Sequence, residues 1–168
     1  MDRNAIVLVQ RSWACVQPNA RTAAVVFYAR LFKLDTALPA LFRGDMLEQG
    51  EKLMRMIDAA VRLLEDPSRL VQALQGLGER HAAYGVETMH YPLVGTALLG
   101  TLHETLGEAF DPPTRAAWTT VYQFIADTMT SAAQALDAAG QAGGCDHPTA
   151  PAHDARAHPI DPHHAEPI

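Results

Sequence analysis

Along "AIVLVQRSWACV", residues 5–16, apolar side chains return every three or four positions, as on one face of an α-helix. The rhythm recurs in "PNARTAAVVFYARLF", where Asn19 is placed to cap a helix and Val25, Tyr28 and Phe32 are expected to form one stripe. "DTALPALFRGD" has Pro39 in its middle and then Gly44, which predicts one short helical turn leading into a corner. "MLEQGEKLMRMIDAAVRLLED" reads as a longer amphipathic helix closed by Asp66-Pro67. "PSRLVQALQGLGERHAAYG" is the next, opened by Pro67 and ended by Gly85. "YPLVGTALLGTLHETLG" is read as helix from Pro92 to near Gly107, and "PPTRAAWTTVYQFIADTMTSAAQALDAAG" as a long final helix with proline in its first turn. No alternating run bounded by hairpin residues occurs, so no sheet is expected. The pattern predicts an all-α fold of six main helices and a short one.

Beyond residue 137 the pattern stops. Residues 138–168 are rich in Ala, Gly, Pro and His, and hold five of the eight histidines and five of the eleven prolines. Such a stretch buries too little apolar surface to offset its ordering entropy, so a disordered tail is expected after a folded domain over 1–137. The histidine spacing in the tail fits no defined metal site.

Composition narrows the function classes. The chain has 168 residues, 48% of them hydrophobic, enough for one domain with a sizeable core. A net charge of −6 argues against nucleic-acid binding, which needs a basic face for the phosphates. No stretch approaches 18 uninterrupted apolar residues, so no membrane span is expected, and "MDRNAIVLVQRSW" does not read as a signal peptide. Cys15 and Cys145 form neither a metal-spaced pair nor a disulfide framework, which points to a reducing cytoplasm.

The stretch most charged with chemistry is "RHAAYGVETMHYPLVG", residues 80–95. His81 lies four residues after Leu77 and four before Gly85. It therefore shares a face with Leu77 in a helix's last turn, where a neutral imidazole could ligate a metal at a cavity edge. His90 lies between a helix-ending glycine and Pro92, in a connector near a helix N-terminus. Spacing alone leaves both histidines open as ligands or as ordinary structural groups.

The order of landmarks adds to this. "FYARLF", "LFRGDMLEQGEKLM", "LGERHAAYGVETMHYPLVG" and "AAWTTVYQFIADTM" together resemble the globin family, specifically bacterial single-domain globins and the heme domain of flavohemoglobins. The second half is also similar to neuroglobin. The resemblance covers residues 5 to about 135 and implies a globin fold around heme b, iron protoporphyrin IX. It implies that His81 is the proximal iron ligand and that His90 is not, and that Tyr91 opens the following helix beside it. Phe42 falls where the family packs a phenylalanine on the heme plane, and Leu77, Val86 and Val94 fall on apolar positions of the proximal side and heme edge. Tyr28 and Gln49 fall on the two distal positions, and the 32-residue interval from Gln49 to His81 fits the bacterial branch. Leu53, four residues after Gln49, should wall the ligand cavity, and Lys52 is within reach of a heme propionate.

Two hydrogen-bond donors aimed at a bound gas ligand stabilise partial negative charge on it, so a Tyr28–Gln49 pair implies tight oxygen binding. Flavohemoglobins with such a pair oxidise nitric oxide to nitrate, and the resemblance carries nitric oxide dioxygenation to this chain as an expectation. Two departures bear on it. The position of the family's buttressing glutamate reads Ala133, and no reductase module follows, so electrons would come from a separate reductase. The alternatives are a non-enzymatic oxygen storage or delivery protein and a heme-based gas or redox sensor. The partners implied are oxygen, nitric oxide and carbon monoxide.

Overall fold

The computed structural model describes residues 2–42 and 44–142. Six α-helices follow one another: α1 (Arg3–Val16), α2 (Ala20–Leu34), α3 (Met46–Leu63), α4 (Pro67–Ala83), α5 (His90–Leu106) and α6 (Pro112–Ala142). Single 3-10 turns occupy Gln17–Asn19, Leu38–Leu41 and Gly107–Ala109, and no strand occurs among the described residues. The all-α expectation is met, and Leu38–Leu41 is the short turn expected around Pro39. Because α6 continues to Ala142, the tail expected from 138 has its first residues in helix, and 143–168 lie outside the described residues. No described helix is long and apolar enough to cross a membrane.

Local chemistry sets the helix ends. The Asp45 carboxylate accepts the backbone N–H groups of Leu47 (2.6 Å) and Glu48 (3.2 Å) at the start of α3. Asp66 accepts from Arg69 N–H at 3.2 Å ahead of α4, and Asp111 from Thr114 N–H at 2.9 Å ahead of α6. Asn19 makes no such cap hydrogen bond: its φ of −114° and ψ of 22° are not the extended conformation from which a cap side chain reaches back. The α4 terminus is closed by Gly85 at φ 83°, the left-handed conformation that suits glycine. There Gly85 N–H donates to Ala82 O and Val86 N–H to His81 O, each at 3.0 Å, a Schellman closure. The His81 carbonyl is thereby engaged at the end of the helix.

Two helix crossings depend on glycine for their close approach. A Cβ on Gly78 of α4 would collide with the Met129 backbone of α6, and one on Gly50 of α3 would lie 2.9 Å from the Ala24 Cβ of α2. Two indoles join α1 to the far side of the bundle. Trp13 and Trp118 meet edge to face at 6.1 Å, Trp118 Nε1 donates to Ser12 Oγ at 2.8 Å, and Trp13 Nε1 donates to Asp58 Oδ1 at 3.0 Å.

Two details differ from the sequence reading. Val25 does not share a buried stripe with Tyr28 and Phe32; it is 59% exposed. The buried arc of α2 runs through Ala24, Phe27 and Leu31, and Val25 lies about 60° round from Tyr28 on the opposite flank. In addition, α5 begins at His90 rather than Pro92. Proline is tolerated in that first turn because its missing N–H would have no intrahelical partner, and Thr88 O accepts from Tyr91 N–H at 3.3 Å to start the coil.

Candidate functional site

The helices enclose a cavity of about 220 Å³ bordered by α2 through α6. Its wall is almost wholly apolar. Tyr28, Phe42 and Leu53 form part of it from α2, the corner and α3. Leu77 and His81 come from α4, Val86 from the connector, and Tyr91 and Val94 from α5. The fold therefore gathers these eight residues, spread over more than sixty positions of sequence, around one space.

Gln49 and Lys52 are not at this wall. Gln49 is 1% exposed, next to Gly50 at the α2–α3 crossing, and Lys52 is half-buried one residue before Leu53.

The two histidines both line the cavity but present different atoms. A carbonyl oxygen only accepts, so His81 donates from Nδ1 to Leu77 O, 3.0 Å away on the previous turn. In the neutral ring that leaves Nε2 as a bare lone pair. Burial pushes the His81 pKa down, against a smaller upward pull from the Leu77 carbonyl, and the nearby Arg80 charge lowers it further. His90 is arranged in reverse. The Glu87 backbone N–H donates to its Nδ1 at 2.9 Å, so in the neutral ring the proton sits on Nε2.

Tyr28 is 6% exposed and packs edge to face on Phe27 at 5.2 Å and on Phe42 at 5.4 Å. Phe32 adds a tilted contact at 5.6 Å. Burial pushes the Tyr28 phenol up to about 12, so it remains a protonated donor across the neutral range.

Sequence reasoning missed Tyr122. It lines the cavity from α6, and its hydroxyl donates to the backbone carbonyl of Tyr91 at 2.5 Å. Its ring fills the space over Gly95, where a Cβ would lie 2.5 Å from Cε1. From α6 it is thus Tyr122, not the half-buried Ala133, that reaches the start of α5. The available signal was spacing: Trp118, Tyr122 and Ile125 repeat at four and three residues, and all three line the cavity.

An all-helical bundle around an apolar cavity, with histidine in its wall, has the architecture of a protein that holds a flat apolar cofactor or a small ligand. Residues 25–129 match the family model described as Globin, and the chain belongs to the globin family, whose fold implies heme and diatomic gas binding. Neuroglobin of Danio rerio is 38% identical over 137 residues, covering 73% of this chain and 86% of its own. Neuroglobin of Dissostichus mawsoni is 35% identical with the same coverage. Among solved structures, an engineered carbene transferase built on a Rhodothermus marinus protein assigned as a nitric oxide dioxygenase superposes with a TM-score of 0.75. It is 26% identical and covers 84% of this chain and 99% of its own. A hexacoordinated heme protein from an anhydrobiotic tardigrade shares the fold, with a TM-score of 0.73 at 15% identity over 80% of this chain and 96% of its own.

Proposed function

We propose that the protein binds heme b through His81, holds oxygen tightly with Tyr28 and Gln49 as distal donors, and uses it to oxidise nitric oxide to nitrate, with electrons from a separate reductase. The chain's residues fit the group. The wall is apolar enough for a porphyrin, and the Leu77 hydrogen bond leaves one deprotonated imidazole nitrogen as donor. When bound, heme supplies an iron that takes a diatomic gas and exchanges single electrons.

The observation that carries the oxygen reading is Tyr28: a phenol held protonated by burial, in the wall of the cavity that His81 also lines. Its hydroxyl would donate to negative charge on the gas ligand beside a largely apolar wall. Phe42 would pack on the porphyrin plane, with Leu53 walling the gas site and Leu77, Val86 and Val94 packing at the proximal side and edge. Tyr91, its carbonyl bound by Tyr122, would steady the proximal histidine's surroundings. Lys52 would pair with a propionate.

The test is a single-turnover reaction of the oxygenated protein with nitric oxide, followed by timed reduction by candidate reductases. Nitrate formation with reduction fast enough to sustain turnover supports the dioxygenase. Oxygen binding without competent reduction leaves oxygen storage or delivery, and a protein that takes up no heme overturns both.

A further inference from the structure

Two tryptophans connect the His81 cavity to the surface on the α1 side. Trp118 of α6 is buried and lines the cavity. Its ring meets that of Trp13 edge to face, with centroids 6.1 Å apart, and Trp13 itself is not in the cavity wall. Trp13 Nε1 donates to Asp58 Oδ1 at 3.0 Å, and Asp58 also accepts from Gln17 Nε2 and, at 2.8 Å, from Arg62 Nε. The Arg62 side chain is 75% exposed and that of Asp58 26%, so this end of the row reaches solvent.

The two indole N–H groups have unlike acceptors. Trp118 Nε1 donates to Ser12 Oγ at 2.8 Å, a buried hydroxyl whose own hydrogen faces the carbonyls of Leu8 (2.7 Å) and Val9 (3.1 Å). Trp13 faces a carboxylate instead. Indole gives up an electron readily, and its N–H then becomes strongly acidic, so the acceptor decides where an oxidation comes to rest. A neutral hydroxyl is a poor base and leaves the positive charge on Trp118. The Asp58 carboxylate can take the proton and leave a neutral radical on Trp13.

We infer that Trp118 and Trp13 form an electron relay, through which an oxidising equivalent generated by hydrogen peroxide in the His81 cavity moves to Trp13, away from the porphyrin and Tyr28. The inference rests on the proposed reading of that cavity as a heme site. Reduction of the peroxide breaks its O–O bond: one oxygen leaves as water with both protons, and two electrons pass to the other. One electron comes from the iron and the other from Trp118, which Trp13 refills, while the Nε1 proton of Trp13 passes to Asp58. The cavity tyrosine on the same helix is less suited to the task. Tyr122 donates its hydroxyl hydrogen to the Tyr91 carbonyl at 2.5 Å, and an amide oxygen does not take up the proton that a phenol releases on oxidation.

The experiment treats the ferric, heme-loaded protein with stoichiometric hydrogen peroxide. Rapid-freeze electron paramagnetic resonance should show a tryptophan radical, and peptide mass spectrometry should place the oxygen adducts on Trp13 rather than Trp118. Trp118→Phe should lose the Trp13 adducts because the bridge to the cavity is gone. Asp58→Asn, which keeps a hydrogen-bond acceptor but not a base, should lose them too, and heme should bleach faster in both variants. Adducts on Trp13 at the wild-type level in either variant, or wild-type adducts confined to Tyr28, Tyr91 and Tyr122, would overturn the relay. If Trp118→Phe fails to fold, Asp58→Asn at its partly exposed position and the wild-type adduct map decide alone. Heme uptake without Trp13 oxidation sinks the relay and leaves the functional reading standing, whereas a chain that takes up no heme sinks both.

Discussion

The imidazole of His90 accepts the Glu87 backbone N–H at Nδ1, 2.9 Å away, whereas His81 donates from its own Nδ1 to Leu77 O at 3.0 Å. The two rings line the same cavity as opposite tautomers, one offering a lone pair at Nε2 and the other an N–H. If that difference assigns the ligand, His81→Ala loses most of the heme or its ferrous five-coordinate spectrum, and His90→Ala keeps both. Heme titration of the two variants checks this, and normal heme binding by His81→Ala would sink the assignment.

If Gln49 takes the distal position, as proposed, it offers no second imidazole to close a bis-histidine heme. The reduced protein without added ligand should then be mainly five-coordinate. Its absorbance spectrum decides the matter, with a low-spin six-coordinate form as the contrary result.

Tyr28→Phe removes one hydroxyl and leaves the ring contacts with Phe27, Phe32 and Phe42 in place. A hydrogen bond to a charged group is worth about 1.5–3 kcal/mol, so oxygen should dissociate roughly 10- to 150-fold faster. Carbon monoxide, less polarised on iron, should respond far less. Gln49→Leu should act in the same direction and less than additively if both donors reach one ligand atom. Stopped-flow displacement of oxygen measures each rate, and equal rates for wild type and Tyr28→Phe would reduce the tyrosine to packing.

Alkaline titration gives an independent handle on that phenol. Burial raises the Tyr28 pKa from 10.0 to about 12, so the folded state keeps a proton that the unfolded chain has begun to release. The unfolded state then binds fewer protons, and stability falls as pH rises from about 10 toward about 12. Below that window Tyr28 contributes no pH dependence. Ultraviolet difference titration should show a tyrosinate component near the upper end that Tyr28→Phe lacks; if the component lost in that variant lay near the ordinary value instead, the burial would be contradicted.

Gly78→Ala tests the α4–α6 crossing three residues before His81. The added methyl meets the Met129 backbone, which has no rotamer to yield, so a loss of about 1–3 kcal/mol is expected from overpacking. Thermal unfolding of the variant checks it, with an unchanged midpoint as the failing outcome.

Much of this protein is determined by local sequence. The three-four spacing of apolar residues specifies six helices, and Asp45, Asp66 and Gly85 mark boundaries because their side-chain or backbone chemistry acts within a few residues. His81 is legible for the same reason: its face, its place in the last turn and the carbonyl that fixes its tautomer all lie within four residues. Only the tertiary structure decides what happens across helices. Val25 looks like part of the Tyr28 stripe until the packing of α2 turns the buried arc toward Phe27 and Leu31 and leaves Val25 in solvent. His90, two residues ahead of the expected start of α5, borders the cavity, whereas Gln49, buried beside Gly50, is not among its wall residues. Tyr122 finds Tyr91 from 31 residues away, a contact set by how α6 lies on α5 rather than by anything either helix carries alone. Periodicity tells a helix which side is apolar; the partner packed against it decides which residues of that side face a cavity, a neighbour or water.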